Sequence, residues 1–338
     1  MGASMGKTIS ETMFDRIAAS EELPTIPGVA LDVLAMAKRA NVSLPDIADV
    51  VGRDPALAAK ILRLANSSFF GVSAKTGTVT QALVRLGLRA SLSVVLGFSI
   101  LPKLARAGRQ STDMRLIWNM SLLSSVSAKV IEERTRGRFM EEAFTGALLQ
   151  DLGMLAMVAA APEHYVDVLK TVERDSAAEV HEVEEVMLGV NHMEIGVYLL
   201  GMWNVPDQIV GPIGGHHRPD AVRPSGYDDY RLARVLQASD AVSRLICYGP
   251  THANVLRCVR LFADYFCWPP TFVVSFVRDL TPSIRQVAQL LSIEVSDDLM
   301  ERLDRVTSLN SEDSDVWKEA LRLTGAEATA GPDAETLQ

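Results

Sequence analysis

Asp151 stands in the stretch "GALLQDLGMLAM", between Leu149 and Leu152, in a run that otherwise has the composition of a protein core. A carboxylate there is either a ligand, a helix cap or a buried polar group with a partner. Further groups of the same chemical kind follow: His192 in "EEVMLGVNHMEIGVYLLGMWNVP", His216 and His217 in "IGGHHRP", and Asp240 in "LQASDAVSRLI". Imidazoles and carboxylates brought together from several helices are how bundle proteins hold divalent metals. Taken one at a time, each of these residues is more often a satisfied core group or a cap. Spacing alone does not show that they converge.

The elements that would position them are helical. Apolar residues recur at helical spacing, as in Leu57, Ile61, Leu64, Ala65 and again in Val79, Ala82, Leu83, Leu86. Ser43 with Asp46 reads as a capping box, with Pro45 in the first turn. Asp54–Pro55 reads as an N-cap followed by proline at the first helical position. Thr78 with Gln81 repeats the box, and Gly87 suits a helix end. No series of alternating strands is visible, so the expected class is all-α. Five segments are expected: an N-terminal extension (1–14), a helical first half (15–105), a second helical half (112–249) beyond the polar break "RAGRQSTD", a C-terminal helical region (250–307), and an acidic, largely disordered tail (308–338).

Bulk properties exclude several classes. The chain has 338 residues, 48% hydrophobic and 22% charged, with a formal net charge of −9. Nucleic-acid binding is therefore disfavoured. Residues 43 to 68 read as helix-turn-helix-like, but the second helix offers only Lys60 and Arg63 as long basic groups and begins at Asp54. The cysteines, three in number, fit neither a disulfide framework nor a zinc ribbon. No apolar run is long enough for a bilayer, and no leader of secretory type is visible, so a cytoplasmic protein is expected. Phe69 and Phe70 are either core or an anchor for a partner, with core favoured.

The chain resembles the HDOD family, the HD-related output domain of bacterial signalling proteins. The resemblance rests on "LPTIPGVALDVLAMA", "SLPDIADVVGRDPALAAKILRLANSSFFG" and "TVTQALVRLGL" in the first half, and on "FTGALLQDLGMLAM", "NHMEIGVYLLGMWNVP" and "HHRP" in the second. It covers roughly residues 15 to 248, and it implies a helical half packed on a bundle related to the HD phosphohydrolases. In those enzymes two histidines and two acids hold a metal that activates water. The resemblance places Asp151 and Asp240 at the acids, but Met120 and Gln150 at the histidines. Thioether and amide are poor ligands for a hydrolytic metal. The site is thus expected to be a remnant, with Asp151, His192, His216, His217 and Asp240 as its vestigial cluster and with no catalytic residue, metal or cofactor. The expected function is non-enzymatic regulation through a protein partner, without a membrane role. The alternatives are a phosphohydrolase or cyclic di-GMP phosphodiesterase with a rearranged ligand set, and a nucleic-acid-binding regulator.

Overall fold

A computed structural model of the chain describes residues 9–19, 28–37, 42–67, 69, 75–87, 91, 94–95, 112–203, 205–291, 297–308 and 322. No strand occurs among them, and the class is all-α as expected. α1 (Ile9–Ala19) runs across the boundary drawn between the extension (1–14) and the first half, and α2 (Gly28–Ala37), α3 (Leu44–Val51), α4 (Pro55–Ala65) and α5 (Val79–Leu86) follow within the first half. The polar break at 106–111 and the tail from 309 lie outside the described residues, apart from Arg322.

The helix starts form as their sequences dictate. Ser43 and Asp46 close a reciprocal capping box, and Asp54 accepts from the backbone N–H groups of Ala56 and Leu57. Thr78 accepts from the N–H of Gln81, but the return half of that box is displaced: the Gln81 amide oxygen accepts from Gly77 instead. Gly87 ends α5 at φ +81°, where a side chain is strained. α3 and α4 pack against α5, burying Ile47, Val51, Leu57, Ile61, Leu64 and Leu83. The pair that resembles helix-turn-helix is therefore half of a core.

The second half starts with the long α6 (Thr112–Arg134), followed by α7 (Met140–Leu149), α8 (Leu152–Ala160), α9 (Pro162–Arg174), α10 (Val180–Leu188), α11 (His192–Met202), α12 (Asp207–Gly214), α13 (Pro219–Val222) and α14 (Tyr227–Cys247). α6 runs along both α7 and α14, and α11 lies on α8. Contrary to the expectation that no apolar run is long enough for a bilayer, the stretch Met140–Ala160 is long and apolar enough by length and composition. It is broken at Gln150–Asp151 and 89% buried inside the protein, as a helix apolar on all sides must be.

α15 (His252–Phe266), α16 (Pro270–Leu291) and α17 (Asp297–Thr307) complete the same core. α16 contacts both α6 and α4, so the C-terminal region braces the two halves. Phe69 is buried and meets Phe144 edge-on at 6.0 Å, with the Lys129 ammonium 4.4 Å from its ring centre. It is core rather than an exposed anchor; Phe70 lies outside the described residues.

One close approach sets up the site. A Cβ on Gly153 would lie 2.0 Å from the carbonyl oxygen of His192, so glycine lets α8 and α11 touch backbone to backbone. Gly201, on the same α11, has nothing within 4 Å of its own Cβ position. Gly153→Ala is expected to cost about 3 kcal/mol or more, whereas Gly201→Ala is expected to be neutral or to stabilise by up to ~1 kcal/mol. Urea melts of both variants check this; equal effects would contradict the close approach.

Candidate functional site

Asp151 occupies the N-cap position of α8, but its side chain makes no capping hydrogen bond. It is 1% exposed and points inward. The helix-cap explanation thus fails, and the carboxylate belongs to the interior. The contact between α8 and α11 brings it to His192, which opens α11 behind an Asn191–Glu194 capping box.

His192 is held from its outer side. Glu184 of α10, fully buried, accepts from both the His192 backbone N–H (2.8 Å) and its Nδ1–H (2.6 Å). The other oxygen of Glu184 accepts from the Tyr165 hydroxyl. His216 follows α12, and its Nδ1–H donates to the Ile213 carbonyl at 2.7 Å. Both imidazoles are therefore oriented with Nε2 turned inward. The two Nε2 atoms lie 3.3 Å apart, and Asp151 Oδ1 is 3.9 Å from one and 4.0 Å from the other. That is ion-pair range, longer than a hydrogen bond. Neither imidazole therefore reaches Asp151 with a hydrogen bond, and Asp151 Oδ2 has no hydrogen-bond partner.

His217 joins the group through its ring, 4.2 Å from His216 and 5.1 Å from His192 between centroids. Asp240, on α14, is 4% exposed and close enough to disfavour ionisation of Asp151. The structure thus brings all five residues of the expected cluster into one region. Met120 and Gln150 are buried as well. Glu184 and Tyr165 were not foreseen. The signal lay in the sequence: a glutamate eight residues before His192, one of an adjacent acidic pair on a helix with a buried side.

The electrostatics follow from burying several acids together. Burial, then repulsion from Asp240, pushes the Asp151 carboxyl up to about 7. Burial likewise raises Asp240, against the pull of the Arg244 guanidinium. Burial alone would lower His192, but Glu184 against Nδ1, together with Asp151 and Asp240, outweighs it and the net shift is upward. His216 is held well below the usual imidazole range, by burial first and then by His192. Burial and then His216 do the same to His217.

These shifts give a signed prediction. Between the ordinary carboxyl value of 3.8 and about 7, folded Asp151 keeps a proton that the unfolded chain releases. Its contribution to stability must therefore fall as pH rises through that window, by at most ~1.4 kcal/mol per pH unit. Asp151→Asn removes the titration. The stability of the native protein relative to that variant should decline up to about pH 7 and level off above it. Urea melts across the range check this; a difference independent of pH would contradict it.

Comparison with known proteins agrees with this architecture. The HDOD domain model matches residues 23–219. An uncharacterised protein of Treponema pallidum (strain Nichols) is 27% identical over 228 residues, which are 63% of this chain and 43% of the relative, so the chain spans less than half of that protein's length. An HDOD domain protein of unknown function from Geobacter sulfurreducens superposes with a TM-score of 0.63 at 20% identity, covering 85% of this chain and 99% of that one. A proposed signal transduction protein from Marinobacter aquaeolei VT8 gives 0.57 at 22% identity over 86% and 63% of the two chains. A proposed phosphohydrolase from Shewanella amazonensis SB2B gives 0.54 at 21% identity over 92% and 98%. The likeness to these structures is one of fold. Since the family model covers more than half of the chain, through the first half and on to the paired histidines, the chain belongs to the HDOD domain family.

Proposed function

We propose that this protein is a non-enzymatic regulatory module that passes a cellular signal by binding another protein. The observation that carries this reading is the closure of the cluster. Asp151, His192, His216 and Asp240 are between 0 and 4% exposed, so no phosphate ester meets their ligand atoms from solvent. The positions where the resemblance implies further imidazoles carry Met120 and Gln150. A protonated His192 satisfies the arrangement without a metal. Its Nδ1–H donates to Glu184, its Nε2–H donates across 3.3 Å to His216 Nε2, and His216 uses its own Nδ1–H on Ile213. In this reading the cluster is a structural core for the second half, and signalling is carried by the surface. The net charge of −9 and the packing of α3 and α4 into a core speak against nucleic acid as the partner.

A second reading, metal-dependent phosphohydrolysis, is favoured by the same triangle. Two imidazoles whose outer nitrogens are already engaged, facing one carboxylate oxygen, form a fitting ligand set for a borderline divalent ion. Asp151, His192 and His216 would hold it, and such an ion supplies an activated water. The burial of the triangle is what places this reading second.

Hydrolysis of cyclic di-GMP, nucleotides and simple phosphate esters, with Mn and Mg supplied separately, distinguishes the two. Turnover at background level is expected. Turnover that disappears in a folded Asp151→Ala protein would overturn the non-enzymatic reading and establish the second.

A further inference from the structure

Beside the inner cluster lies a second group of donors, in which His217 is joined by two residues outside the cluster that the resemblance implies, Glu179 and His181. One ligand nitrogen each from His181 and His217 and a carboxylate oxygen of Glu179 lie within 4.8 Å of one another. Glu179 is the residue before α10, and its side chain does not cap that helix. His181 is one residue into α10, 4% exposed, and its Nδ1 has no hydrogen-bond partner. His217 Nε2 is also buried without one. Buried imidazole nitrogens left unpaired are uncommon and cost stability unless something occupies them. Two such histidines beside one carboxylate point to a shared occupant. Glu179 and His217 are partly exposed, so the edge of the group is open to solvent, while His181 Nδ1 and His217 Nε2 are themselves buried and an ion reaches them only when a ring moves.

We propose that Glu179, His181 and His217 form an outer binding site for a borderline divalent metal such as Zn, Co or Ni. One carboxylate and two imidazoles are the donor set such ions prefer, with room for solvent at a fourth position. The chemistry also defines what binding must change. The His181 and His217 rings are stacked, with centroids 4.6 Å apart and planes 14° apart. Nearly parallel rings direct their lone pairs side by side rather than at one point. Metal capture therefore turns one ring about its Cβ–Cγ bond. Arg257 is paired with Oε1 of Glu179, so the metal shares that carboxylate with the guanidinium or displaces it. His217 also lies within 4.8 Å of ligand nitrogens of His192 and His216, which makes it the residue common to the outer and inner groups.

Co(II) titration of the metal-stripped full chain tests the site, followed by its visible d–d absorption and by metal retained after equilibrium dialysis. Three proteins are compared: native, His181→Gln and Asp151→Asn, each checked for fold by circular dichroism. His181→Gln is expected to lose one equivalent of cobalt relative to the native protein. Asp151→Asn, which alters only the inner triangle, is expected to keep that equivalent. Equal binding by native and His181→Gln proteins would overturn the proposal. So would a native protein whose every equivalent is lost in Asp151→Asn, which would instead locate the metal at the inner triangle. If His181→Gln does not fold, cobalt-edge anomalous density in crystals of the native protein decides. A peak in ligating reach of both His181 and His217 supports the site, and its absence there overturns it.

Discussion

The contact on which the second half depends is that between Glu184 and His192. One carboxylate oxygen accepts from two donors of the same residue, backbone and ring, while the other receives Tyr165. A fully buried carboxylate is tolerable only when its acceptor capacity is filled in this way. The bonds tie α9, α10 and the start of α11 together at one point. They also fix the face His192 presents: with Nδ1 committed to Glu184, only Nε2 is left for the interior. The approach of the His216 Nε2 to within 3.3 Å of His192 Nε2 depends on that orientation.

Backbone packing supplies the second condition. Gly153 lets the α8 backbone meet the His192 carbonyl, and Gly196, across the same contact, has the Gly153 nitrogen 3.8 Å from its Cβ position. Without a side chain at Gly153, α11 sits close enough for Asp151 and His192 to share one enclosure. The result is a polar cluster inside an apolar bundle, and the leucines around Asp151 in the chain, Leu148, Leu149, Leu152 and Leu155, are all buried. Such a cluster has a shortage of positive charge. A proton answers it in the proposed regulatory module; a metal answers it in the hydrolytic reading.

Much of this was legible in the residues. The capping signals at Ser43 and Asp54 specify helix starts through local hydrogen bonds, which depend on nothing distant. The inward position of Asp151 followed from its leucine neighbours. The partners of Asp151 did not follow, because they are set by how α8, α11 and α12 cross, and a shift of less than 1 Å separates a hydrogen bond from the 3.9 Å observed. Glu184 was hidden for a related reason: a glutamate on a helix ordinarily faces water, and only the packing of α10 turns this one inward. The Thr78–Gln81 box was misread in half, since a flexible glutamine reaches Gly77 as easily as the cap residue itself.

The central claim is that a proton on His192, held by Glu184 and shared toward His216, organises this cluster. Long-range 1H–15N NMR of the imidazole side chains of the metal-stripped protein measures it most directly. His192 is expected to carry protons on both nitrogens at neutral pH, with His216 as the neutral Nδ1–H tautomer. A His192 that is neutral at pH 7, or that titrates like a free imidazole near the ordinary value of 6.5, would contradict the claim.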